Sequence, residues 1–291
     1  MKPDSPVSPR VVVNADDFGL HEAVNRAIVQ GHKNGVVTST SIMACGSAFE
    51  DAVEQGGACP SLGIGIHLTL VEERPVAPAN QVPSLVNRSG VMADSYADFA
   101  RRWLSRKIRL DDVMRELEAQ VERVLRAGIT PTHFDSHQHV HCLPGLWKVT
   151  VDLAKKYRVP YVRLPYFDSI VADATIVQSA VRLGVNVMGT LRRNVRTAGV
   201  RHADYVRGFA FSGRMTPARL LSILKTIGPG LTEIMVHPGL PDEDLRRRYQ
   251  QWKGFSWEQD YNAVTNAAVI EFCAEEGVTL TSFVRPQERN P

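Results

Sequence analysis

Four short runs rich in Val, Ile, Leu or Thr each deliver an acid or a histidine at or near their ends. Val11-Val12-Val13 leads into Asn14-Ala15-Asp16-Asp17-Phe18-Gly19, Leu62 to Leu70 carries His67, Thr132 to Ser136 reaches His137, and Leu231 to Val236 reaches His237. Helical patterns lie between them. Residues Glu22 to Asn34 precede Gly35, and Leu110, Val113, Leu117, Val121 and Val124 keep one helical face until Gly128. Alternation of this kind predicts parallel βαβ units in a single barrel or sheet. In such folds the chemistry gathers at the C-terminal ends of the strands, where Asp16, Asp17, His67, His137 and His237 all fall.

Composition narrows the classes. The 291 residues are 44% hydrophobic and 22% charged with a formal net charge of +3, which is ordinary for a globular chain and too weakly basic to argue for nucleic acid. The clusters Arg101-Arg102, Arg192-Arg193 and Arg246-Arg247-Arg248 read as solvated faces. Cys45, Cys59, Cys142 and Cys273 form no CxxC pair and read as reduced thiols of a cytoplasmic protein. Cys142 adjoins the histidines but has no cysteine partner nearby, which argues against a ligand role. Residues 1–9 are expected to be a disordered tail without the apolar core of a signal peptide, and no run is long enough for a membrane span. Residues 10–291 are expected to form one domain with two insertions. The first, 71–109, holds Pro75, Pro78 and Pro83 and reads as a long connection or lid; the second, 166–204, is the least legible stretch, with a helix expected over Ala172 to Leu183.

Residues 132 to 141, Thr-His-Phe-Asp-Ser-His-Gln-His-Val-His, hold four of the nine histidines. Such a density of imidazole points to a metal site. Strand alternation puts His133, Asp135 and His137 on one face, so one or two of these histidines can be ligands, while His139 and His141 read as hydrogen-bonding neighbours. Asp17, His67 and His137 together supply one carboxylate and two imidazoles from three strand ends, a set that suits a divalent ion with open positions. Asp16 is then free to act as a general base and His237 as the acid that protonates a leaving amine. A single aspartate would suffice to cap the following helix; two, followed by Phe-Gly, exceed that need. Arg163 reads equally as an orienting group and as the partner of a core acid. The ligand set does not choose the scissile bond, so a metal phosphoesterase or another amidohydrolase stays open, as does a noncatalytic binding protein.

Asn14-Ala15-Asp16-Asp17-Phe18-Gly19-Leu20, Gly35-Val36-Val37-Thr38-Ser39-Thr40, Gly65-Ile66-His67-Leu68 and the run from Thr132 to His141 closely resemble the YdjC-like carbohydrate deacetylases, which include the chitooligosaccharide deacetylases. The resemblance implies a distorted, TIM-like (β/α) barrel of seven or so parallel strands and one divalent ion, zinc or magnesium. It also implies removal of the acetyl group from an N-acetylglucosamine-type sugar by water activated at the ion, and it makes the noncatalytic alternative a sugar-binding protein. By motif, Asp16 is the implied base and Asp17, His67 and His137 the ligands; His237 in Val-His-Pro-Gly is the implied acid. Asp135, His139, His141 and Arg163 are expected around the ion or the substrate. Leu70 to Val76 and Val82 to Val86 are similar to the branch associated with hopanoid biosynthesis, whose substrate is a sugar on a lipid. The expected partners are therefore an N-acetylated sugar, free or lipid-linked, and a second copy of the chain as a homodimer. The expected location is cytoplasmic, peripheral at the membrane for a glycolipid.

Overall fold

The computed structural model describes residues 9–164 and 200–283. The sequence readings for residues 1–8, the helix over Ala172 to Leu183, and the Arg192-Arg193 cluster lie outside the described residues.

β1 (Pro9–Phe18) is the axis of the fold. Its residues from Val11 onward are buried, because β-branched side chains on a parallel strand are covered on both faces. β7 (Gly230–Val236) runs beside it from Pro9 to Ala15. On its other side β8 (Thr279–Leu280) takes the first part and β2 (Ser39–Ile42) the remainder. β3 (Gly63–Leu68), β4 (His133–Ser136) and β5 (Tyr161–Val162) continue from β2, and β6 (Tyr205–Arg207) flanks β7, giving the order β5-β4-β3-β2-β1-β7-β6. Every pairing is parallel. Arg201, just before β6, makes a parallel bridge back to Tyr161 of β5, so the two edges of the sheet approach each other and the sheet curls into a distorted barrel. All the strand ends that carry the candidate groups therefore open on one rim.

The helices α1 (Glu22–Asn34) and α4 (Leu110–Arg126) form where their sequence patterns predict, and α2 (Phe49–Gly57) and α5 (Leu146–Lys156) follow β2 and β4 in the same way. Neither aspartate caps α1 through its side chain; the cap is His21, whose Nδ1 accepts from Ala23 N at 3.1 Å. The 71–109 segment contains a helix the prolines concealed, α3 (Tyr96–Leu104), capped by Ser95 and facing the core through Phe99. Near the C-terminal end of the described residues lie two short helices, α8 (Trp257–Val264) and α9 (Ala267–Glu275), separated where Asn266 caps the second. α6 (Pro217–Leu224) is capped by Thr216 with a proline at its first position, and α7 (Glu243–Arg248) carries the arginine run on an exposed face.

Polar residues of α4 hold the irregular 71–109 chain. Buried Glu116 accepts from the backbone of Val76 and Ala77, both at 2.9 Å, Asp112 accepts from Ser84 N at 2.8 Å, and Gln120 bonds both Thr69 N and Thr69 O. These side chains satisfy backbone groups that a loop could not otherwise bury. Burial pushes the Glu116 carboxyl up to about 7 despite the three donors around it. Glu116→Ala orphans two backbone donors, so a loss of about 2–3 kcal/mol is expected in urea denaturation; a loss below about 0.5 kcal/mol would contradict the anchoring role.

Candidate metal centre

A fault in β1 builds the centre. Its register with β2 shifts between Ala15 and Phe18, and Asp17 there takes a left-handed backbone, φ 69°. In an unbroken strand Asp16 and Asp17 would face opposite sides. The bulge turns both carboxylates into one cavity of about 360 Å³ at the barrel rim. Of the six described non-glycine residues with positive φ, four are Asp17, Glu72, Gln138 and His139, so backbone strain concentrates around this cavity.

Asp17 Oδ1 lies 3.2 Å from His67 Nε2 and 2.9 Å from His137 Nδ1, and all three residues are buried. Each imidazole is held from behind by a carboxylate: His67 Nδ1 meets Asp135 Oδ1 at 2.8 Å, and His137 Nε2 meets Glu72 Oε2 at 3.2 Å. That arrangement orients a ring and leaves its other nitrogen to a cation. Burial alone would lower the His67 pKa, but Asp135 and Asp17 raise it to about 10; Asp17 and Glu72 likewise raise His137 to about 9 against burial. Burial raises the Asp17 carboxyl, and the two imidazoles more than reverse it, holding it well below the usual carboxylate range. The pocket therefore demands positive charge, which protons supply here and which a divalent ion fits.

A second cluster, Asp16, His67 and Asp135, also has ligand atoms close together, but its carboxylates already face a cation. Arg163 forks onto Asp16 (Nη1 to Oδ2 2.6 Å, Nη2 to Oδ1 2.7 Å), and also meets Asp135 Oδ2 at 2.8 Å and Glu233 Oε1 at 2.7 Å. At about 4 Å, two like unit charges repel by about 4 kcal/mol at an effective dielectric of 20. The Asp17 set is thus the one that suits an ion. Uptake there at pH 7 must strip the metal-facing nitrogens of both histidines, so about two protons should be released per ion. The sign for stability follows. Both pKa values are raised above the usual 6.5, so the stability they give the ion-free protein is complete below pH 6.5 and is lost as pH rises through 9 and 10. Calorimetry in buffers of different ionisation enthalpy checks the release; zero protons would contradict this assignment.

Asp16 and His237 face each other across the cavity, with His237 Nε2 3.8 Å from Asp16 Oδ2. His237 follows β7, and Asp260 of α8 stands behind it: Asp260 Oδ2 accepts from His237 N at 2.8 Å and lies 3.8 Å from Nδ1. Burial lowers the His237 pKa, while Asp260 and Asp16 raise it, leaving it above its ordinary value and suited to donating a proton. Both Asp16 Oδ1 lone pairs are used, by Arg163 and by Asn14 Nδ2 at 2.8 Å; Oδ2 keeps one, on the His237 side.

The remaining predicted residues divide. His139 lines the cavity beside Phe209 at 5.2 Å between ring centres, and burial and Arg163 keep its imidazole neutral. His141 is buried away from the ligands, joined to Ser136 Oγ and, at 3.0 Å, to the backbone oxygen of Arg163. His133 sits deeper in the barrel against Phe283 at 4.5 Å, its pKa lowered by burial to about 4. Cys142 lines the cavity but belongs to neither ligand set. Sequence reasoning missed Glu72, Glu233 and Asp260. Only Glu233 left a signal, as an acid inside the apolar run Leu231 to Val236.

A parallel α/β barrel whose strand ends join a two-histidine, one-carboxylate centre to a separate carboxylate and a third histidine is the architecture of a hydrolytic enzyme. More particularly, the chain belongs to the family of YdjC-like proteins, whose model matches residues 10–275. It is 34% identical over 281 residues to a carbohydrate deacetylase of Geobacillus stearothermophilus, covering 94% of this chain and 96% of that one. It is 28% identical to a chitooligosaccharide deacetylase of Proteus mirabilis, over 94% and 97% of the two chains. Among solved structures, a proposed cellobiose-phosphate cleavage protein of Enterococcus faecalis superposes with a TM-score of 0.76 at 28% identity, covering 95% of this chain and 98% of that one.

Proposed function

We propose that the protein hydrolyses the acetamide of an N-acetylglucosamine-type sugar, presented as an oligosaccharide or on a lipid. The observation that carries this reading is Asp16, forked onto Arg163, placed beside the Asp17, His67 and His137 set and opposite a histidine that favours its protonated form. Asp17, His67 and His137 would hold a divalent ion, zinc or magnesium, which when bound supplies Lewis-acid polarisation of the amide carbonyl. Asp16 Oδ2 receives the proton of the attacking water through its remaining lone pair. Arg163 keeps that carboxylate aligned through both of its oxygens. His237 then gives its proton to the departing amine, so that a neutral amine leaves and acetate remains; acid and base steps of this kind are each worth about 10²–10⁴-fold.

The names of the relatives support a carbohydrate acetyl group as the target. Purified protein incubated with N-acetylglucosamine, diacetylchitobiose and an N-acetylglucosaminyl lipid should release acetate from at least one, should lose that activity with a chelator and regain it with zinc or magnesium. Absence of acetate from every N-acetyl sugar with ion bound, or release of phosphate from a phosphoester panel instead, would contradict it.

A further inference from the structure

Glu72 joins two parts of the molecule 180 residues apart in sequence. It follows β3 with a left-handed backbone, φ 66°, and its side chain is only 6% exposed. Oε2 takes the Nε2 side of His137 at 3.2 Å, and Oε1 accepts from Trp252 Nε1 at 3.0 Å. Glu73 repeats the arrangement by accepting from Tyr249 Oη at 2.8 Å. Two adjacent carboxylates thus hold two aromatic donors of the 249–257 segment. The indole of Trp252 is packed by Tyr249, Phe255 and Trp257, with ring centres at 5.0, 5.2 and 5.7 Å. It lines the cavity with its ring centre 5.5 Å from that of His137.

A pin that merely held the segment in place would not need its second oxygen on a ligand-set imidazole. By accepting the Nε2 proton, Glu72 ensures that the proton given up to an ion is the one on Nδ1, the nitrogen that faces Asp17, and so leaves the lone pair there. The same carboxylate sets where the Trp252 ring stands, and an aromatic ring attracts the positively polarised C–H bonds on the apolar face of a pyranose.

We propose that Glu72 is a positioning residue with two effects: it sets the His137 tautomer that receives a divalent ion, and it fixes Trp252 as the wall on which the sugar ring packs. The ion and the sugar are thereby held in one register. The sugar half rests on the deacetylase reading; the ion half does not.

The test compares Glu72→Gln, Trp252→Phe and Trp252→Ala with the wild type for zinc affinity by calorimetry and for diacetylchitobiose affinity by ligand-observed NMR. An amide at 72 cannot accept from both donors, and its NH₂ turned toward His137 calls for the opposite tautomer. Glu72→Gln should therefore weaken zinc binding about 10–100-fold, the usual effect of removing a ligand's orienting carboxylate, at nearly unchanged melting temperature. Both Trp252 variants should keep zinc affinity within about twofold, while Trp252→Ala weakens the sugar about tenfold, a stacking loss of about 1.4 kcal/mol. Zinc affinity unchanged in Glu72→Gln, or sugar affinity unchanged in Trp252→Ala when the wild type binds the sugar, overturns the proposal. A wild type that binds zinc but neither binds nor deacetylates any N-acetyl sugar overturns the deacetylase reading and the sugar half with it, while the zinc comparison still decides the tautomer half.

Discussion

Asp16→Asn should keep its bound ion and lose acetate release by about 10²–10⁴-fold, the range for removal of a general base. The asparagine has nearly the same shape and still offers an oxygen to Arg163, whose charge remains balanced by Asp135 and Glu233. Metal content should be unaffected because Asp16 is not one of the Asp17, His67 and His137 set. Asp17→Asn should behave oppositely and lose the ion first. Metal analysis and acetate assays on the two variants separate the roles of these neighbours. Unchanged turnover in Asp16→Asn would move the base elsewhere, and loss of metal would show that the neighbouring cluster holds the ion.

The second large effect is on stability. Arg163 is buried and is the shared cation of Asp16, Asp135 and Glu233. Arg163→Met leaves three acids facing one another without it, so a loss of about 3–5 kcal/mol is expected at pH 7.5. The pH dependence has a definite sign. Burial already raises Glu233 to about 7 with the arginine in place; removing the guanidinium raises it further and lifts Asp135, which despite burial Arg163 and His67 hold low. Groups whose folded pKa exceeds the unfolded value stabilise in their protonated form, so the variant should recover stability as pH falls from 7.5 toward 5. Urea denaturation at both ends of that interval checks this; a loss below about 1 kcal/mol, or a deficit independent of pH, would contradict the shared-cation account.

The strand ends were legible because short β-branched runs on parallel strands are buried and end where polar residues begin. Asp16, Asp17, His67 and His237 stood out for that reason, and the helices before Gly35 and Gly128 emerged with them. What alternation could not foresee was the bulge at Asp17, since period two assigns adjacent residues to opposite faces and only the tertiary register reverses this. Arg163 was readable as either an orienting group or a core partner, and it pairs with both the cavity carboxylate of Asp16 and buried Glu233. Glu72 and Asp260 were invisible for a different reason. Each lies in an ordinary sequence context, a loop charge pair and a helical acid, and acquires its role from a histidine far away in the chain. The histidine run conveyed chemistry well and position poorly: of its four imidazoles one joins the Asp17 and His67 group that could hold an ion, one lines the cavity, and two turn inward.

The most direct test of the central claim is a crystal structure of the zinc-loaded protein with anomalous scattering recorded on both sides of the zinc edge. The account predicts a single strong peak bounded by Asp17 Oδ1, His67 Nε2 and His137 Nδ1, with Asp16 still forked onto Arg163. A peak among Asp16, His67 and Asp135, or no peak at the barrel rim in a protein that releases acetate, would contradict it.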